Sequence, residues 1–240
     1  MIPRLLRAPD ARRFVGASLA VGAAFVVFGL SFGVLAVTAG ASVVQATVMS
    51  LLVYTGASQM SAVSVVAAGG SFGAAFGGAA LLAARNAVYG VALSPVIGRG
   101  RLRRLVGAHF VIDETTAIST AESDPALRET AFWVSGPILY ASWCSGTLLG
   151  ALLRSNIDPA TFGLDAAFPV MFTAMLVPHL RTRRGRRAAA FGGVVTVALA
   201  PFIPVGLPVL VAAFGILFGV APASPEDVHG GPAPATDGAP

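Results

Sequence analysis

Seven stretches of the chain are apolar enough to enter a bilayer, and they leave little room for anything else: Phe14–Thr38, Val43–Ala68, Phe72–Ile97, Phe132–Leu153, Ala166–Leu180, Ala188–Ile203 and Leu207–Ala221. The first runs on to Ala39, 26 residues without a charge. A helix rises about 1.5 Å per residue, so such a run covers the roughly 30 Å of a hydrocarbon core. It is also longer than the apolar stretch of a cleavable leader. The arginine pair Arg12–Arg13 ahead of it and the "AGA" at Ala39–Ala41 are therefore read as the flanks of a retained span. Backbone groups inside lipid must be satisfied within the segment, which restricts a chain of this kind to helices or a closed barrel. Runs this long select helices. The expected fold class is all-α, a polytopic helical membrane protein with about 6–8 transmembrane segments, some of them broken or re-entrant.

Composition agrees: 55% of the 240 residues are hydrophobic, 11% are charged, and the mean hydropathy is +0.79. The net charge of +5 would point to nucleic acid in a soluble domain. Here the arginines sit in short breaks between apolar runs, as cytoplasmic membrane loops do, and no nucleic-acid partner is expected. All sixteen basic residues are arginine. One cysteine, Cys144, excludes a disulfide framework or a paired-cysteine site. No P-loop, HExxH or dinucleotide fingerprint occurs, so no cofactor or metal is expected. The lipid bilayer is the first partner. Residues 1–13 read as a basic cytoplasmic N-terminus, 14–221 as the membrane domain and 222–240, rich in Pro, Gly and Ala, as a disordered tail.

Orientation follows from three arginine groups, at residues 4–13, 99–104 and 181–187, which all belong on the cytoplasmic side. The chain must then cross an even number of times between successive groups. Three apolar segments precede Arg99, and two clear ones plus the polar stretch Leu105–Ala121 precede Arg181. The economical solution breaks one early segment and keeps Leu105–Ala121 from crossing fully. Val43–Ala68 is the segment to break, because "VYTGASQMSA" lies inside it.

That decapeptide puts polar groups at membrane depth, where they are tolerated only if buried in protein or lining a cavity. Discontinuous helices of transporters use such sequences to aim helix termini at a substrate. Gly56 permits an unwound backbone, Thr55 and Ser58 can cap or bind, and Gln59 offers two donors and an acceptor to a zwitterion. The competing reading is ordinary helix packing through small residues, with Gln59 bonding a neighbouring helix.

Arg85 lies near the middle of its segment, too far from either end to reach water, so it needs a partner inside the bundle. Asp113 and Glu114 are the acids available, and Asp113 is the expected partner. Asn86, Tyr89 and Ser94 add hydrogen-bonding groups on the arginine's segment. Gly69, Gly73 and Gly77, four apart, are the expected site of close helix approach. Pro95, Pro137, Pro169, Pro178, Pro201, Pro204 and Pro208 predict kinks. "GASQ" at Gly56–Gln59 also echoes the nucleophile of an intramembrane serine protease. The required histidine is missing at depth, since His109 and His179 lie near segment ends beside arginines. No enzyme is expected.

Five blocks, "YTGASQMSAVSVVAAGG", "AARNAVYGVALSP", "DETTAIS", "WCSGTLLGALL" and "GLDAAFPVMFTAML", occur in the order and spacing of the AzlC-type branched-chain amino acid exporters. The resemblance covers about Gly29 to Leu180. It implies the large subunit of a secondary exporter in the inner membrane, working with a small AzlD-type membrane subunit. Joined with the reading of the residues above, Thr55, Gly56, Ser58 and Gln59 are expected to meet the backbone groups of an amino acid substrate and Met60 its side chain. Arg85, Asn86, Tyr89, Asp113 and Glu114 would form the intramembrane charge and coupling group, although Asn86 stands where relatives are expected to carry histidine. The alternatives are transport of another small amphipathic solute, or a membrane scaffold whose polar residues only pack.

Overall fold

The computed structural model describes residues 9–154 and, beyond them, 170, 173, 176–177, 180–203 and 207–212. Most of the expected segment Ala166–Leu180, the end of Leu207–Ala221 and the expected tail 222–240 lie outside the described residues. Every described element is a helix. They are numbered α1 (Pro9–Thr38), α2 (Val43–Val53), α3 (Gly56–Ala67), α4 (Phe72–Ala83), α5 (Arg85–Ile97), α6 (Arg101–His109), α7 (Asp113–Thr120), α8 (Pro125–Leu153), α9 (Arg183–Leu199) and α10 (Leu207–Ala212).

Helices α1 and α8 form the spine, packed parallel along their lengths. Glycines set their distance. A side chain on Gly29 or Gly33 of α1 would strike the carbonyls of Trp143 or Thr147, and one on Gly146 or Gly150 of α8 would strike those of Val26 or Leu30. Two four-residue glycine spacings therefore face each other backbone to backbone. Two positions of the stripe expected to do this do not: Gly69 ends a helix with φ +80° in open space, and Gly73 has only Ser71 at its edge, whereas Gly78 beside the stripe comes within 3.4 Å of Ser61 on α3. Small-residue spacing alone cannot tell a turn from a packing seam.

Ion pairs mark the ends of the spine. Arg13 of α1 pairs with Glu122, just after α7, and Arg103 of α6 pairs with Glu129 of α8. This is the arginine end. At the opposite end, Arg154 after α8 donates to the Thr38 hydroxyl at the close of α1 (2.6 Å).

Starting at the opposite end, α2 opens with a capping box between Ser42 and Gln45 and runs down α8. Ser50 bonds Thr147 (3.0 Å), and the carbonyl of Leu51 accepts from the Tyr140 hydroxyl (3.0 Å). At Tyr54 the backbone turns left-handed (φ 40°) and the helix stops. Helix α3 then climbs back, for Gln59 returns to the level of Ser50. Together α2 and α3 form a hairpin that enters from the opposite end and turns beside the middle of α8. This is the break expected in Val43–Ala68.

After the turn at Gly69, α4 and α5 descend to the arginine end, and the expected single helix Phe72–Ile97 is interrupted at Ala84, immediately before Arg85. A second hairpin, α6 and α7, enters from the arginine end. Its tip at Phe110–Ile112 is laced by threonines: Thr115 donates to the carbonyl of Phe110 (2.6 Å) and accepts from the amide of Ile112 (3.1 Å), and Thr116 donates to the carbonyl of Ile112 (2.7 Å). Leu105–Ala121 thus goes in and returns. Among the described residues, Ala11–Thr38, Phe72–Ile97 and Pro125–Leu153 are the stretches long and apolar enough to cross a membrane. Large apolar side chains such as Phe72, Phe76, Val88 and Val91 stand exposed on the outside, as a lipid-facing surface requires.

Candidate functional site

Each hairpin tip begins a helix near the middle of the bundle. The first amides of α3, from Gly56, and of α7, from Asp113, have no partner within their own helices. Thr55, at the N-cap of α3, makes no capping bond with its side chain. Its hydroxyl is instead buried without a partner among the described residues, as are those of Tyr54 and Ser58. Unpaired buried donors are uncommon, and these three lie within five residues of one another.

The charged group sits beside them. Arg85 bonds Asp113 at 2.7 Å, joining the start of α5 to the start of α7. Both side chains remain about 30% exposed, facing a cavity rather than packed protein (31% and 28%). The Tyr89 hydroxyl, one turn along α5, faces the same carboxylate. Glu114 lies alongside and has no ion-pair partner among the described residues.

Three cavities meet here. A central one of about 300 Å³ is lined by Thr55, Gly56, Arg85, Asp113, Glu114 and Trp143, among others. One of about 610 Å³, mostly apolar, reaches it from the opposite end past Gly40, Gln45 and Ala62. Another of about 510 Å³ extends from Arg104 and Ile97 at the arginine end up to Asn86. Thr55 lines all three.

The residues singled out in the sequence separate into two groups. Thr55, Gly56, Arg85, Asn86, Asp113 and Glu114 share the central cavity, with Tyr89 behind Asp113. Gln59, Met60 and Ser58 do not reach it. Gln59 is fully buried, donates to Ser50 (3.3 Å) and accepts from the indole of Trp143 (3.0 Å), so its amide is engaged at both ends. It and Ser58 border only the opposite-end cavity. Met60 is fully buried in the core with Phe32, Tyr54 and Trp143, and lines none of the three.

Sequence reasoning missed Trp143 and His109. Trp143 covers Gly56, where a Cβ would fall 2.8 Å from the ring, and this contact together with its bond to Gln59 fixes the α3 terminus against α8. His109, expected near the end of a segment, is the last residue of α6 at the hairpin tip, with its ring 5.8 Å from Tyr54 and 5.1 Å from Tyr140. The reason is the reversal after Phe110, which makes the end of that helix the deepest point of the chain's entry. Its depth does not make a nucleophile and base, because the Ser58 hydroxyl has no hydrogen-bond partner.

A family model described as "AzlC protein" matches residues 20–157, which includes both hairpins and most of the spine. An uncharacterized membrane protein of Archaeoglobus fulgidus is 31% identical over 182 residues, covering 73% of this chain and 78% of that one. One from Helicobacter pylori strain J99 is 26% identical over 181 residues, 74% of this chain and 79% of the relative. "Inner membrane protein YgaZ" of Escherichia coli is 28% identical over 169 residues, 68% and 69% of the two chains. No solved structure gives a significant match.

Proposed function

Because this multi-pass membrane protein belongs to the AzlC family, we propose that it is the large subunit of a secondary transporter that exports branched-chain or similar apolar amino acids. The observation that carries the reading is the meeting of two hairpins from opposite ends at a cavity with one charged wall, flanked by separate cavities toward each end. A scaffold has no need of unpaired donors at such a meeting point. A solute carrier does, since its substrate supplies the missing partners.

The carboxylate of an amino acid fits the start of α3, where free amides and the positive end of the helix dipole face the cavity. Its apolar side chain fits against Phe25, Phe28, Ile112 and Trp143. This moves the substrate from Gln59 and Met60 to the α3 terminus and its surroundings. The arginine end is placed in the cytoplasm of a plasma (inner) membrane on the strength of its charge. A small AzlD-type membrane subunit is the proposed partner, and the work is transport rather than catalysis.

Cells preloaded with a dipeptide of branched-chain residues and carrying this chain with its small subunit should release the liberated amino acid faster than cells lacking either. Equal release at matched protein abundance would remove the export reading.

A further inference from the structure

The Arg85–Asp113 pair uses one of the two acids at the start of α7 and leaves the other over. Glu114 is half-buried, lines the central cavity and has no ion-pair partner among the described residues. A second unmatched group stands beside it. Tyr54, from the other hairpin, is 2% exposed, lines the same cavity, and its hydroxyl has no hydrogen bond among the described residues. Tyr54 and Glu114 thus reach one cavity from the two different hairpins.

The wall of the cavity therefore holds one guanidinium and two carboxylates. A bare carboxylate at membrane depth is costly, and the ligand that completes this wall is one carrying a positive donor. An ammonium has three N–H groups, for which a carboxylate and a phenolic oxygen are ready acceptors. Across the cavity the start of α3 suits the opposite charge. A compact molecule with a cationic and an anionic group close together and an apolar remainder is an α-amino acid.

Resting on the transport reading above, we propose that Glu114, assisted by Tyr54, receives the substrate's ammonium and makes the site demand an amine. Arg85 and Asp113 then hold α5 to α7 and leave the ligand's amine to Glu114. The charged and titratable groups facing Glu114 are Arg85 and Tyr89 from α5, Asp113 on its own helix and Tyr54 from the other hairpin.

The test uses the full chain purified with its small subunit and three ligands: leucine, 4-methylpentanoate, which lacks the amine, and 3-methylbutylamine, which lacks the carboxylate. Wild-type protein should prefer leucine to 4-methylpentanoate and retain measurable affinity for the amine. Glu114→Gln should weaken leucine by about ten- to a hundredfold, the loss of a charge-assisted bond, and erase most of its preference over 4-methylpentanoate. Full preference in a folded Glu114→Gln protein overturns the assignment, as does a variant altered only in the pH dependence of binding, which would make Glu114 a proton carrier. If Glu114→Gln does not accumulate, Tyr54→Phe takes its place, and an undiminished preference there overturns the proposal equally. Failure of wild-type protein to bind leucine sinks the substrate reading itself, and the assignment with it.

Discussion

At Gln59 one amide joins three helices, accepting from Trp143 of α8 and donating to Ser50 of α2 from its own place on α3. Gln59→Ala should therefore act first on stability, by about 1–3 kcal/mol, because it strands a buried indole N–H and leaves a cavity. A lower melting temperature in detergent, with the efflux of the surviving protein near normal, is the expected result. Unchanged melting with abolished efflux would return Gln59 to the substrate. The sequence could show that this glutamine was too deep to be idle, but not which of its two readings held. That depended on Trp143, 84 residues away. Arg85 and Asp113 were legible for a simpler reason: a mid-segment charge needs an opposite one, and few acids were available. Glu114 stood next to Asp113 in the same motif, and only the geometry separates the paired acid from the spare one.

Among the elements, the two hairpins were legible in outline and the helix seam was not. Charge parity required that two segments fail to cross, and polar residues within apolar runs marked which two. The glycine seam was hidden because the chain has 28 glycines and many four-residue spacings. Which of them face another backbone is decided by tertiary pairing. The seam of α1 and α8 carries the sharpest prediction at this scale. Gly150→Val drives a side chain into the carbonyl of Leu30, and no flexible side chain is there to yield. Overpacking of this kind costs about 1–3 kcal/mol even where neighbours adjust, and backbone against backbone adjusts least. Gly16→Ala, on the same α1 but with nothing within 4 Å, is the matched control and should melt like wild type. Equal melting of Gly150→Val and Gly16→Ala would show that α1 and α8 are not in contact there.

For the molecule as a whole, the arrangement is a spine with two hairpins inserted from opposite ends, their tips meeting beside the middle of α8. Tyr54 packs edge-on against Tyr140 at 4.9 Å, and a Cβ on Gly136 would touch Phe110 of the other tip at 2.9 Å. The cavity toward each end stops at this junction, where Thr55 borders both and the central cavity between them. A carrier that opens alternately would expose this one position to each side in turn. The most direct measurement places a single cysteine there, Thr55→Cys in a Cys144→Ala background. The exchange breaks no hydrogen bond, since the Thr55 hydroxyl has none. Small membrane-impermeant thiol reagents are then applied to right-side-out and to inside-out vesicles, with and without a branched-chain amino acid. Labelling is expected from both sides, slowed from both by the amino acid. Labelling from neither side, or labelling indifferent to the amino acid, would contradict a carrier that opens alternately.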